Sequence, residues 1–201
     1  VQELPFNRNN FFTFGCLNNS SKISKEVVDA WGKILSKVKN SRLLLKAVNK
    51  DSEIAYKNIL RKLNIQSSRV VFLSAKSNKE DHYKTYNDID LALDTFPYPG
   101  VTTSFEAIWM GVPVLTMKGD NSVSRCGESI NINLDLKNFI ANNPREYVDK
   151  AVLFSKNINE LSKIRKSLRE KALASPLFDV ENFAKNLSNQ INKIWLNHPK
   201  K

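Results

Sequence analysis

Apolar and polar positions follow two rhythms through the first two thirds of this chain, and one rhythm governs the rest. Short apolar runs come first: Phe11-Phe12-Thr13-Phe14-Gly15-Cys16, Leu43-Leu44-Leu45 within Arg42–Lys46, Val70-Val71-Phe72-Leu73, Ile89–Leu93 and Val112–Thr116. Each has the length and near-continuous apolar character of a strand buried on both faces. Between them, apolar residues recur at helical spacing. Val27, Trp31, Ile34, Leu35 and Val38 do so between Ser24 and Lys39, with Ser24 placed to cap the helix. Ser52–Leu63, Lys79–Tyr86 and Ser104–Met110 are the next helices expected. In the last third Pro144–Lys171 and Val180–Leu196 keep the helical period, with Pro176 between them. The second of these carries its apolar stripe on Phe183, Leu187, Ile191, Ile194 and Trp195.

Strands alternating with helices through short Gly-, Asn- or Pro-containing turns predict an α/β fold with a Rossmann-like, doubly wound parallel sheet. We expect one domain over residues 1–201, of which 144–201 form a helical extension. Ligands of such sheets bind beyond the carboxyl ends of the strands, near the point where strand order reverses. The loops after the strands are therefore where chemistry should be sought.

Composition narrows the picture. The chain has 201 residues, 41% hydrophobic and 25% charged, which suits a globular protein with a real core. No apolar run reaches the roughly 18 residues that span a bilayer, and the start does not read as a signal peptide. A cytoplasmic protein without membrane partners is expected. The first residue is Val1, not Met, so a piece of a longer protein is expected too. Cys16 and Cys126 form no CxxC pair, and His82 and His198 lie far apart, so no metal-ligand cluster is visible. Both thiols read as free and buried. The net charge of +11 comes from lysines spread along helical polar faces, such as Lys25, Lys33, Lys37, Lys39, Lys150, Lys156, Lys163 and Lys166. No basic run carries interleaved aromatics, so a solvated surface is expected and not a nucleic-acid partner.

The most informative segment is Asp94-Thr95-Phe96-Pro97-Tyr98-Pro99-Gly100-Val101-Thr102-Thr103-Ser104-Phe105-Glu106-Ala107. The Pro-Tyr-Pro-Gly turn is stiff, and Gly100 allows backbone geometry that other residues resist. Thr102 and Thr103 then sit where a helix begins. Free N–H groups, hydroxyls and the positive end of the helix dipole converge there, which suits a diphosphate. Thr103-x-x-Glu106 also fits a plain capping box, and the local motif balances the two readings.

The segment from Asp94 to Val114, continuing through Ile108-Trp109-Met110-Gly111-Val112-Pro113, resembles the signature of the O-linked N-acetylglucosamine transferases, glycosyltransferase family 41, in its bacterial form. Phe14–Ile23 is similar to that family's first strand and loop. Asn78-Lys79-Glu80-Asp81-His82, Ser122-Val123-Ser124-Arg125 and Ser175-Pro176-Leu177-Phe178 match further segments in the same order. The resemblance implies the UDP-sugar-binding half of a GT-B glycosyltransferase. The reaction it implies is inverting transfer from UDP-N-acetylglucosamine to Ser or Thr hydroxyls, with no cofactor and no metal. By the same resemblance Lys22, Thr102 and Thr103 contact the diphosphate, Asn19 lies near it, and Lys22 is the catalytic cation. Lys79 and Glu106 are placed at the ribose and His82 at the uracil, with Ser77, Gly100 and Val101 completing the donor site. Animal members carry a histidine where this chain has Val101. The acceptor half and its repeats would lie outside this chain, which alone should bind UDP but transfer little. The other readings are a GT-B enzyme with a different sugar or acceptor, and a non-catalytic interaction module that keeps the fold.

Overall fold

The computed structural model describes residues 1–46, 50–73 and 78–198. Among these, six parallel strands form one sheet: β1 (Phe12–Cys16), β2 (Ser41–Leu45), β3 (Val70–Phe72), β4 (Leu91–Leu93), β5 (Val114–Met117) and β6 (Ile140–Ala141). Their order across the sheet is β3-β2-β1-β4-β5-β6. Phe14 of β1 pairs with Leu43 on one side and with Leu91 on the other, so strand order reverses between β1 and β4. The strands are continuous apolar runs because both of their faces are covered.

The helices are α1 (Pro5–Asn9), α2 (Lys25–Lys37), α3 (Lys50–Lys62), α4 (Lys79–Thr85), α5 (Thr102–Trp109), α6 (Cys126–Asn133), α7 (Pro144–Lys156), α8 (Ile158–Leu173) and α9 (Val180–Leu196). Right-handed crossovers put α2 and α3 on one face of the sheet and α5 and α6 on the other. α7 joins α2 on the first face, and α8 joins α5 on the second. Ser24 does cap α2, its Oγ accepting from Val27 N at 3.3 Å. Val27, Val28, Trp31, Ile34 and Leu35 form its buried stripe. Burying each such side chain is worth about 1.5–3 kcal/mol.

Four elements depart from the sequence pattern. β6 is two residues long, too short to show as an apolar run. α6 has a weak stripe, with Ile130 buried but Ile132 exposed. The helical span Pro144–Lys171 divides at Asn157, whose φ of −101° and ψ of 55° break the helix. α5 starts two residues before Ser104, because Phe105 N already bonds Val101 O at 3.0 Å. Cys16 is buried as expected, whereas Cys126 is half-buried at the solvent-facing start of α6; both are free. Lys25, Lys33, Lys37, Lys39, Lys156, Lys163 and Lys166 are exposed, and Lys150 is half-buried against Ile140 O. No helix among the described residues is long and apolar enough to cross a membrane.

A buried cation locks the amino ends of the fold. Arg165 of α8 is 1% exposed. Its Nε donates to Gln2 O at 2.8 Å and its Nη1 to Ile89 O at 2.7 Å. Burial lowers its pKa to about 10, so it stays charged at neutral pH. Beside it, the buried Asp90 accepts from Phe6 N at 2.9 Å and Thr13 N at 2.8 Å, which docks α1 on β1. Arg165→Met would keep the aliphatic volume and strand those carbonyls without donors. We expect a loss of about 3 kcal/mol, seen in thermal unfolding as a fall of roughly 10 °C. An unchanged melting temperature would show that the guanidinium contributes nothing.

Candidate functional site

Two loops leave the sheet at its switch point. After β1 the chain passes through a 3-10 turn at Ser20–Lys22 into α2, and after β4 it runs through Pro97-Tyr98-Pro99-Gly100 into α5. The first intrahelical bond of α5 is the one donated by Phe105 N, so the amides of Thr102, Thr103 and Ser104 have no acceptor within the helix. Thr102 is exposed and Thr103 half-buried. Val101 is the N-cap residue and gives no side-chain cap. The end of α5 is therefore open to an oxyanion.

The loops are held together from behind by Asp94, which directly follows β4 and is 2% exposed. Its Oδ1 accepts from Gly100 N at 2.6 Å, Thr95 N at 2.9 Å and Asn18 Nδ2 at 3.0 Å. Its Oδ2 accepts from Thr116 Oγ1 of β5 at 2.9 Å. Asn18 also donates to Thr95 Oγ1 at 3.0 Å, and its own Oδ1 accepts from the Thr103 hydroxyl. One carboxylate and one amide thus tie the β1 loop, the turn and the first turn of α5 into a unit. Gly100 is needed there for space. An added Cβ would lie 2.6 Å from Thr103 Oγ1 and 2.7 Å from Asn18 Oδ1. Its backbone is not left-handed, unlike that of Gly111 at φ 79°, which corrects the conformational reason inferred from the turn sequence.

Lys22 reaches the same turn. Its Nζ donates to Pro99 O at 2.9 Å and lies 4.1 Å from the centre of the Tyr98 ring. Farther along α5, Glu106 turns toward α4. Its Oε2 lies 3.0 Å from His82 Nε2 and accepts from the Tyr86 hydroxyl at 3.0 Å. Tyr86 is buried, and burial together with the Glu106 charge drives its pKa far above the ordinary phenol value. It acts only as a neutral donor. The capping box does not form, since Glu106 is spent on α4 and the Thr103 hydroxyl on Asn18. The His82 and Glu106 side chains keep 25% and 19% of their area exposed, so a ligand can reach both.

The structure brings Lys22, Gly100, Val101, Thr102, Thr103, Glu106 and His82 to one end of the sheet. Lys79 is exposed in the first turn of α4, three residues before His82 and so on the same side of the helix. Asn19 is also exposed, but its Oδ1 accepts from Ser21 N at 3.0 Å within its own turn. Its neighbour Asn18 is the amide that joins the loops. Ser77 lies outside the described residues. Sequence reasoning assigned no role to Asn18, Asp94, Tyr86 or Tyr98. A signal existed for Asp94, an acid directly after an apolar strand.

A doubly wound parallel sheet with a cation and an open helix start at its switch point is the architecture of the nucleotide-binding α/β domains, here that of one half of a GT-B glycosyltransferase. The glycosyl transferase family 41 profile matches residues 4–187, and the chain belongs to that family. Over 194 residues it is 37% identical to the probable UDP-N-acetylglucosamine–peptide N-acetylglucosaminyltransferase SPINDLY of Solanum lycopersicum, covering 95% of this chain and 21% of that protein. It is 31% identical over 188 residues to the corresponding probable enzyme SEC of Arabidopsis thaliana, covering 93% of this chain and 19% of that one. Among solved structures, a mutant Thermobaculum terrenum O-GlcNAc transferase superposes with a TM-score of 0.86 at 34% identity, over 93% of this chain and 36% of that one. The chain thus spans about a fifth of the curated relatives' length.

The buried carboxyls give the fold a pH signature. Burial pushes Asp90 and Asp94 from 3.8 up to about 6, against the hydrogen bonds each accepts. A carboxyl with a raised folded pKa binds more protons folded than unfolded. Its contribution is fully present below the unfolded value and is lost as pH rises through the folded one. Glu146, held down to about 2 chiefly by Lys150 and Asn142, titrates below this window. Unfolding free energy from denaturant titration should therefore fall between about pH 4.5 and 6.5, by on the order of 1–3 kcal/mol. A rising slope would mean that the donors to Asp94 outweigh its burial.

Proposed function

We propose that this chain is the donor-binding half of an inverting, metal-independent glycosyltransferase that moves N-acetylglucosamine from UDP-N-acetylglucosamine to Ser or Thr hydroxyls. The observation that carries the reading is the convergence of Lys22 with the open first turn of α5 at the switch point of the sheet. The departing UDP carries negative charge that must be stabilised as the sugar leaves, and preorganised donors at that point lower the barrier. Lys22 supplies the cation, while Thr102 and Thr103 supply hydroxyls and amides. Glu106, already turned toward α4, has Oε1 available to accept from ribose hydroxyls. His82 and Lys79 stand on the α4 side for the nucleoside, and Val101 offers only its backbone. The names of the SPINDLY and SEC relatives support N-acetylglucosamine as the sugar and a peptide as the acceptor. The acceptor and its base belong to parts of the enzyme that this chain does not contain, so the chain alone should bind donor and transfer little. A cytoplasmic enzyme with no nucleic-acid partner completes the proposal.

UDP should bind in the presence of EDTA, as measured by calorimetry. Collapse of affinity with EDTA and its rescue by magnesium would overturn the metal-free mechanism. Lys22→Ala should weaken UDP by about 10- to 150-fold, the scale of one charge-assisted bond, and leave uridine nearly unchanged. Equal losses for both ligands would mean that the lysine acts through folding.

Glu106→Gln tests the ribose contact separately. The amide keeps one acceptor but loses the charge, so UDP affinity should drop by about 1–2 kcal/mol. 2′,3′-Dideoxy-UDP, which lacks the hydroxyls, should bind the wild type and the variant alike. A variant that lost stability while keeping UDP affinity would remove Glu106 from the site.

A further inference from the structure

Tyr98 is an aromatic residue left 48% exposed at the tip of the turn between β4 and α5. Prolines stand on both sides of it, Pro97 and Pro99, which stiffen the backbone and restrict Tyr98 itself to extended geometry. Its hydroxyl has no hydrogen-bond partner among the described residues, so the phenol oxygen does not explain its place. What the ring does touch is Lys22, whose Nζ lies 4.1 Å from the ring centre and donates to the next residue's carbonyl, Pro99 O, at 2.9 Å. The flexible lysine is thus held from two sides by one rigid turn. Neither contact is a carboxylate. A paired acid would have cancelled the charge and competed with any anionic ligand. A ring face and a carbonyl hold the ammonium while leaving its charge uncompensated.

We infer that Tyr98 is a positioning residue: its ring holds the Lys22 ammonium, unpaired with any acid among the described residues, beside the open amino end of α5, where a diphosphate would lie. The inference rests on the donor-site reading above and assigns a part in it to a residue that would act through Lys22. Two structural features make the arrangement effective. The turn that carries Tyr98 is anchored one residue beyond Pro99, where Gly100 N donates to the buried Asp94 at 2.6 Å. The helix that receives the anion begins one residue after Val101, so the clamp and the open amides belong to one stiff segment. The ordering of a long side chain is then done before the ligand arrives, which raises affinity without a new contact to the ligand.

The test is calorimetry with UDP, UDP-N-acetylglucosamine and uridine on the wild type, Tyr98→Phe, Tyr98→Leu, Lys22→Ala and the double variant Tyr98→Leu/Lys22→Ala. Tyr98→Leu should weaken UDP by about three- to tenfold, the range of a half-exposed cation–π contact. It should weaken UDP-N-acetylglucosamine by the same factor and leave uridine and the melting temperature unchanged. Tyr98→Phe keeps the ring face and should retain wild-type affinity. In the Lys22→Ala background the Tyr98→Leu loss should vanish. A loss confined to the nucleotide sugar would mean that the ring touches the sugar and would overturn the inference, as would a Tyr98→Leu loss that persists without Lys22. If the wild type fails to bind UDP, the donor-site reading itself falls. If UDP binding needs Lys22 but is indifferent to Tyr98→Leu, only the role of Tyr98 falls.

Discussion

The candidate site depends on one buried carboxylate. Asp94 stands where β4 ends, and four donors reach its side chain from the β1 loop, its own backbone neighbour, the turn and β5. Tyr147 of α7 adds a fifth tie, donating to the Asp94 carbonyl at 2.8 Å. Loops normally drift relative to the sheet that carries them. Here the side-chain amide of Asn18 and the backbone amide of Gly100 are bonded to a single point at the back of the crevice, and Asn18 in turn holds the first turn of α5 through Thr103. Taking a carboxylate out of water is costly, and its raised pKa records that cost. The return is geometric: the open amides of α5 and the cation of Lys22 are held in fixed relation.

That arrangement also sorts the charges. The negative groups sit behind or beside the open helix end, Asp94 surrounded by donors and Glu106 partly covered by His82 and Tyr86. The uncompensated positive elements, Lys22 and the α5 amides, face the crevice. A site built this way presents a local positive field on a small patch, quite apart from the net charge of +11. The bulk charge lies on exposed lysines such as Lys33 and Lys163, and says little about the site.

Much of the fold was legible because strands and helices here keep their own periods. Five strands, the α2 cap at Ser24 and the helix over Val180–Leu196 stand in the apolar pattern itself. The two-residue β6 and the break at Asn157 were not legible, since neither alters the count of apolar residues in a window. The site divides along a similar line. Backbone-driven features, such as the open start of a helix after Thr-Thr, can be read from local sequence. Tertiary pairings cannot: nothing in the run Leu17-Asn18-Asn19 says which amide will meet Asp94, 76 residues away. The resemblance named the neighbour Asn19, whose Oδ1 accepts from Ser21 N within its own turn.

The same distinction explains why Glu106 could be read two ways. A Thr-x-x-Glu at a helix start satisfies the capping pattern whatever else surrounds it. Ruling out the cap required knowing that His82 of α4 and Tyr86, the residue after that helix, bond that acid, and that Asn18 takes the Thr103 hydroxyl. With both capping partners bound elsewhere, the amides of Thr102, Thr103 and Ser104 have no acceptor within α5 and stay open at its start. Helix-end amides that solvent can reach are met by water, and an anion there replaces that water. A fold that commits its capping residues to neighbouring elements thus keeps the helix end free for a ligand. The structural logic of the loop and the chemistry proposed for it rest on the same free amides.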